Sequence, residues 1–219
     1  MFMIAIVDYG MGNIRSVEKG FLKMGAEVRV TADPKVISDA AGIVLPGVGA
    51  FKDCMRNLDS MNLLGVIVKE IEKGKPYLGI CLGLQILFSD SEEFGFCRGM
   101  DILKGRVVRF RFGHEVPDGG EAGSCQGLKI PHMGWNTARL SRRPPLFREI
   151  PDDTYFYFVH SYYVVPEEEG VIASRTEYGV DFVSMVWKDN VIATQFHPEK
   201  SQGAGLKILK GFNEMVCGS

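Results

Sequence analysis

The apolar run Pro76 to Ile80 passes without a connecting loop into Leu82 to Phe88, and this junction constrains the chain more than any other feature. The first segment reads as a short buried strand and the second as a helix. A strand that feeds directly into a helix is a building unit of layered α/β folds. At the junction, Gly79-Ile80-Cys81-Leu82-Gly83 places a glycine two residues to each side of Cys81. This is the cysteine form of the sharp strand-to-helix turn that lifts a side chain clear of the sheet. Backbone N–H groups and the positive end of the dipole at a helix N-terminus favour thiolate over thiol. Most cysteines are inert core residues; this one has a setting suited to attack on a carbonyl carbon.

The rest of the N-terminal half repeats the same alternation. Met3 to Val7 reads as a strand, Ile14 to Met24 carries apolar residues at helical spacing, and Gly25 is placed to cap it. Glu27 to Thr31 is a second strand, and Asp33-Pro34 is a helix start. Gly42 to Leu45 is a third strand, and Met61 to Lys73 a helix closed by Gly74. After Ile102 the texture becomes β-rich. Strands are expected over Ile102 to Phe112, Tyr155 to Ser161, Val171 to Glu177, Ser184 to Lys188 and Val191 to Gln195, with Asp189-Asn190 as a hairpin turn and a last helix from Ala204 to Met215. The fold class is therefore α/β: an open, mostly parallel sheet with helices on both faces and a β-rich C-terminal half. No linker or repeat interrupts residues 1–219, so one domain is expected. The glycine-rich stretch 113–127 reads as a mobile surface loop.

A base to match Cys81 lies far downstream, in Gln195-Phe196-His197-Pro198-Glu199. Proline at 198 disfavours the helical region for residue 197. In an extended segment residues 197 and 199 point to the same side, which brings a carboxylate to an imidazole. Cys81, His197 and Glu199 then supply a nucleophile, a base and an orienting group. Acyl chemistry at Cys81 needs two N–H donors for the oxyanion. One is the amide of Leu82. The other is offered by Val48 or Gly49 in Pro46-Gly47-Val48-Gly49, at the carboxyl end of the third strand, where open α/β sheets place their sites.

Other chemistries find less support. Gly10-Met11-Gly12 follows the first strand, but Arg15 stands where a dinucleotide fingerprint has its third glycine, and no phosphate-binding P-loop occurs. No cofactor and no metal is expected. With a net charge of −2, the chain has no global attraction to nucleic acid or to an anionic membrane. No stretch has transmembrane length, and the N-terminus shows no export signal. The five cysteines, Cys54, Cys81, Cys97, Cys125 and Cys217, are odd in number and contain no Cys-x-x-Cys. A reducing cytoplasm is the expected setting.

Gly79-Ile80-Cys81-Leu82-Gly83-Leu84-Gln85, Pro46 to Gly49 and Phe196 to Glu199 resemble the class I (triad) glutamine amidotransferases. Asp8 to Asn13, Val159 to Tyr162 and above all Pro131-His132-Met133-Gly134-Trp135-Asn136 narrow the resemblance to the glutaminase subunits of imidazole glycerol phosphate synthases. It runs over essentially the whole chain. It implies a flavodoxin-like fold and hydrolysis of glutamine to glutamate and ammonia, with ammonia passed to a (β/α)8-barrel cyclase partner in a heterodimer serving histidine biosynthesis. Carried over by motif, Cys81 is the nucleophile, His197 the acid/base and Glu199 its orienter. Gln85 and Glu93, with Glu92 a rival to Glu93, would help hold glutamine, as would the backbone around Ser161 and Tyr162. Asn13, Trp135 and Lys200 would face the cyclase. The stretch 113–127 is longer than the family pattern leads one to expect.

Two further readings stay open at this stage: a stand-alone cysteine hydrolase, for which the block 132–136 has no evident use, and a regulatory protein that keeps the fold without catalysis. For single residues, Trp135 could be core and Asn13 a helix cap. The aromatic run Tyr155 to Phe158 reads as strand packing.

Overall fold

A computed structural model describes residues 2–112 and 128–218. In chain order the elements are β1 (Ile4–Val7), α1 (Ile14–Lys23), β2 (Val28–Thr31), α2 (Pro34–Asp39), β3 (Gly42–Gly47), α3 (Phe51–Ser60), α4 (Leu64–Glu72), β4 (Tyr77–Cys81) and α5 (Leu82–Gln85). There follow β5 (Phe88–Ser91), β6 (Cys97–Arg98), β7 (Leu103–Arg109), β8 (His132–Leu140), β9 (Thr154–His160), β10 (Tyr162–Pro166), β11 (Ile172–Glu177), β12 (Asp181–Lys188), β13 (Val191–Thr194) and α6 (Gln202–Cys217).

The strand order β2-β1-β3-β4-β13 is parallel throughout. Its central strands are buried on both faces, as a sheet covered by helices on either side requires. Alternate residues serve opposite cores. Ala5, Val7, Ile43 and Leu45 pack with Ile37 of α2, Phe51 and Leu58 of α3, and Ile67 and Ile71 of α4. Ile4, Ile6, Val44 and Leu78 pack with Val17 and Phe21 of α1 and with Ile208, Leu209 and Phe212 of α6. Beyond β13 the sheet continues antiparallel through β12, β10 and β7, while β11 joins β12 to the β8–β9 ribbon. The α/β class, the helices on both faces and the β-rich second half all correspond to the reading of the sequence. Asp33 caps α2 by accepting from the Lys35 amide at 2.8 Å. Asp189 turns β12 into β13 at φ +51°.

Several expectations need correction. The helix after Cys81 is one turn, not Leu82 to Phe88, and Phe88 begins a strand. The returning chain is the reason: the amides of Met100, Ile102 and Asp101 donate to the carbonyls of Ile86, Leu87 and Phe88, which a longer helix would have used. The expected helix Met61 to Lys73 starts at Leu64. Asn62 breaks the chain at φ +58°, and α3, with Phe51, Cys54, Met55 and Leu58 buried at helical spacing, precedes it. The stretch 113–127, including Cys125, lies outside the described residues; Cys54, Cys81, Cys97 and Cys217 are free thiols.

Glu70 fastens α4 to its surroundings. Its carboxylate is buried and accepts from Lys73 (2.6 Å), Lys75 (2.9 Å) and Ser38 (3.1 Å), and Lys75 also donates to the Ser38 carbonyl at 2.6 Å. Hydrogen bonds from Lys73 and Lys75 lower its pKa to about 2. A depressed carboxyl pKa gives stability that is present above the unfolded value and lost as pH falls through the folded one. Glu70→Gln is therefore expected to lower unfolding free energy by about 1–3 kcal/mol at pH 7, and the gap to wild type is expected to close between pH 4.5 and pH 2. Urea unfolding of both proteins at several pH values measures this; a gap independent of pH would show that the ion pair is not its source.

Candidate active site

The site begins with the registers on either side of β4. Parallel pairing sets Gly47 of β3 beside Cys81, and Thr194 of β13 beside Ile80. The chain that leaves β13 therefore runs past Cys81 and brings Gln195 and His197 to it. Cys81 is 7% exposed and sits at φ +54°, ψ −102°. Such a backbone costs a non-glycine residue about 1–3 kcal/mol and persists only where its neighbours enforce it. They do so by close approach. A Cβ on Gly79 would lie 2.4 Å from the Gly83 carbonyl oxygen, and one on Gly83 would lie 1.9 Å from the Leu45 carbonyl oxygen. The two glycines let the single-turn helix press onto β3 and β4, which leaves Cys81 as the point where the chain reverses.

His197 extends from this neighbourhood at φ −103°, ψ 96°. The extended reading ends there, because Pro198 to Lys200 form a 3-10 turn, so residues 197 and 199 do not share a strand face. Pro198 suits the first position of that turn, and Ser201 Oγ donates to the His197 carbonyl at 2.7 Å. The turn nevertheless brings the Glu199 carboxylate within 2.9 Å of His197 Nδ1, with both side chains almost wholly buried. His197 Nε2 has no hydrogen-bond partner, so it is free to exchange a proton. Burial alone would lower the pKa of His197. The negative charge available at Cys81, then the Glu199 carboxylate, outweigh it and raise the pKa to about 10. His197 therefore keeps its proton at neutral pH, facing Cys81 and Glu199.

A cavity of about 420 Å³ opens over Cys81. Its walls include Val48, Gly49, Leu82, Gln85, Glu93, Ser161, Tyr162 and Lys200. Every residue expected to hold the oxyanion or the substrate therefore borders one space. Gln85 donates both amide hydrogens inward, to the Tyr162 carbonyl (3.0 Å) and to Gln195 Oε1 (3.1 Å), so toward a ligand it can act only as an acceptor. Glu93 accepts from the Phe51 amide at 2.6 Å, and burial raises its pKa. Its rival Glu92 is turned away, held by Arg111 and the Arg109 amide. Gly49, at φ +99°, takes a conformation open to glycine. Tyr9 Oη donates to the Pro46 carbonyl at 3.1 Å and braces this loop.

The residues expected at a partner surface divide. Lys200 reaches both the cavity and the Tyr157 ring, 5.4 Å from its centroid. Trp135 lies edge-on to the same ring at 6.2 Å and is 46% exposed, so it is not core. Asn13 precedes α1 but its side chain makes no capping bond, and it does not border the cavity. Reading the sequence missed Gln195, whose amide Nε2 lies 3.5 Å from Cys81 Sγ. It also assigned no partner to His132 and His160, which bond to each other at 3.0 Å. Only the register of β13 against β4 could have signalled the first. Among the described residues no cluster of His, Cys, Asp and Glu could hold a metal.

The family model for glutamine amidotransferase class-I matches residues 5–215. The chain belongs to the class I glutamine amidotransferases. The subunit HisH of imidazole glycerol phosphate synthase from Geobacter sulfurreducens is 56% identical over 215 residues, covering 98% of this chain and all of that one. The same subunit from Methanosarcina acetivorans is 50% identical, at 98% and 100% coverage. The crystal structure of a glutamine amidotransferase from Thermotoga maritima superimposes with a TM-score of 0.66 over 99% of this chain and 98% of its own, at 17% identity. That similarity supports the amidotransferase fold.

Gly83→Ala tests the elbow of this amidotransferase. The added methyl meets backbone rather than a flexible side chain, so the variant is expected to lose about 1–3 kcal/mol of stability. Alkylation of Cys81 is expected to slow as its turn is displaced. Thermal unfolding and iodoacetamide labelling followed by mass spectrometry check both.

Proposed function

We propose that the chain hydrolyses glutamine through a Cys81 thioester and hands the ammonia to a (β/α)8-barrel cyclase partner, as the glutaminase subunit of an imidazole glycerol phosphate synthase in the cytoplasm. The observation that carries the reading is the convergence of Cys81 with the buried, charge-coupled His197–Glu199 pair beneath a cavity sized for an amino acid. Two curated relatives at 50% identity or more over nearly their whole length carry that subunit name.

In this reading the Cys81 thiolate adds to the side-chain carboxamide carbon of glutamine. The oxyanion accepts from the Leu82 amide and from an amide of Val48 or Gly49. His197, protonated, gives its Nε2 proton to the departing nitrogen, and the C–N bond breaks to leave ammonia and the thioester. The neutral imidazole then takes a proton from water, which attacks the thioester; the collapse of that second adduct releases glutamate and restores the thiolate and imidazolium. Glu199, bonded to Nδ1, keeps Nε2 directed at the reacting atoms. Gln85, as an acceptor, and the Glu93 carboxylate suit the N–H groups of glutamine, and the backbone at Ser161 and Tyr162 completes the wall. Ammonia at neutral pH is protonated in water and loses its nucleophilicity, so a product released here calls for a sealed route to an acceptor. The exposed Met133 and Trp135 on β8, Lys200 at the cavity and Asn13 ahead of α1 are the residues proposed to face that partner.

Cys81→Ala is expected to abolish ammonia release while leaving binding to a cyclase partner unchanged. Glu199→Gln is expected to keep the fold and lower kcat by roughly 10²–10⁴, the scale seen when an orienting carboxylate is neutralised. A coupled glutamate dehydrogenase assay with and without a cyclase partner measures both. Glutamine hydrolysis persisting in the Cys81 variant would overturn the assignment.

A further inference from the structure

The block 132–136 contains two polar side chains that the mechanism above does not use, and they lead back to the sulfur. Asn136 Nδ2 lies 3.3 Å from His132 Nε2, His132 Nδ1 lies 3.0 Å from His160 Nε2, and His160 Nδ1 lies 2.8 Å from the Tyr162 carbonyl oxygen. The same carbonyl accepts from Gln85 Nε2, Gln85 Nε2 also donates to Gln195 Oε1, and Gln195 Nε2 points at Cys81 Sγ. The polar groups form one continuous line from β8 to the candidate nucleophile. Gln195 and the two histidines are buried.

A backbone carbonyl sets the sense of every bond in this line, because it can only accept. His160 must therefore carry its hydrogen on Nδ1, and its Nε2 accepts. His132 must then donate from Nδ1, which leaves its Nε2 to accept from the Asn136 amide. On the other side, Gln85 must turn its nitrogen to Tyr162. Its second hydrogen needs an acceptor, so Gln195 offers Oε1 to Gln85 and turns its own N–H to the sulfur. No other arrangement of tautomers and amide orientations satisfies all six contacts. Burial keeps both histidines uncharged: it lowers the pKa of His132 to about 4 and that of His160 to about 3, so the line keeps one polarity through the physiological range.

We propose that Gln195 is a positioning residue for the Cys81 thiolate, its amide N–H held toward the sulfur by the line Gln85–Tyr162 carbonyl–His160–His132–Asn136. The proposal rests on the reading of Cys81 as the nucleophile. A hydrogen bond to a charged acceptor is stronger than one to a neutral acceptor, so this N–H favours thiolate over the thiol, which instead donates weakly to the Val159 carbonyl at 3.9 Å. The donor also fixes which lone pair of the sulfur faces the cavity.

Gln195→Met keeps the length of the side chain and removes both amide groups. It is expected to slow alkylation of Cys81 by iodoacetamide at pH 7 by about tenfold, and to lower glutaminase kcat by a similar factor with KM within about twofold of wild type. Alkylation within about twofold of wild type would overturn the proposal. Alkylation reads the thiolate without any turnover of glutamine, so this result is separate from a failure of the glutaminase reading. A second measurement uses the wild-type protein and needs no folded variant. Nitrogen-15 spectra of labelled histidine are expected to show His132 and His160 neutral, with hydrogen on Nδ1, from pH 8 down to pH 6. Hydrogen on Nε2 of His160, or titration of either ring within that range, would break the line and overturn the proposal.

Discussion

The parallel pairing of Val191–Thr194 with Tyr77–Ile80 is the interaction on which the rest of the molecule depends. It joins segments more than a hundred residues apart. Because the two strands run in the same direction, their carboxyl ends finish side by side, and the residues just beyond each end face one another. Cys81 leaves β4 there, and Gln195 and His197 leave β13 there. On the far side, β3 contributes the loop of Val48 and Gly49 from the same sheet edge. The site is thus a property of strand direction, and the antiparallel strands beyond β13 serve mainly to wall the cavity and to carry the exposed β8–β9 ribbon.

The buried histidines are shifted in opposite directions by the charges beside them. His197 is raised because a sulfur that can carry negative charge and a carboxylate face it, whereas His132 and His160 are lowered by burial with no anion beside them, and the positive charge of His197 further disfavours protonation of His160. The desolvation penalty has the same sign for all three. The presence or absence of a buried anion decides whether a ring is an acid poised for transfer or a fixed hydrogen-bonding spacer. The strained backbone of Cys81 is enforced by the close approach of Gly83 to the Leu45 carbonyl and of Gly79 to Gly83.

Much of this was legible residue by residue. The two flanking glycines marked the turn at Cys81 because no other residue permits the approach found there. Buried strands announced themselves as apolar runs, and Gly25, Gly74 and Asp33 marked helix ends through local backbone preferences. The reading lost accuracy where long-range contacts overruled local pattern. Helical character continued to Phe88 in the sequence, but hydrogen bonds from residues 100–103 ended the helix after one turn. The strand His132–Leu140 was not expected, since Pro131 and Gly134 interrupt its alternation, and its pairing with β9 supplies what the pattern lacks. His197 and Glu199 were correctly paired for an incorrect reason: a tight turn, not an extended strand, brings them together.

Taken alone, the order of residues determined the α/β class, the turn that presents Cys81 and the chemical partners it calls for, because these follow from spacing, from side-chain chemistry and from backbone preferences acting over a few residues. Only the tertiary structure decided that Glu93 rather than Glu92 borders the cavity, that Trp135 is half-exposed, and that Gln195, His160 and His132 line up behind the sulfur. Those outcomes depend on strand register, where a shift of one residue exchanges the two faces of a strand. Register is set by the packing of segments that the chain keeps far apart.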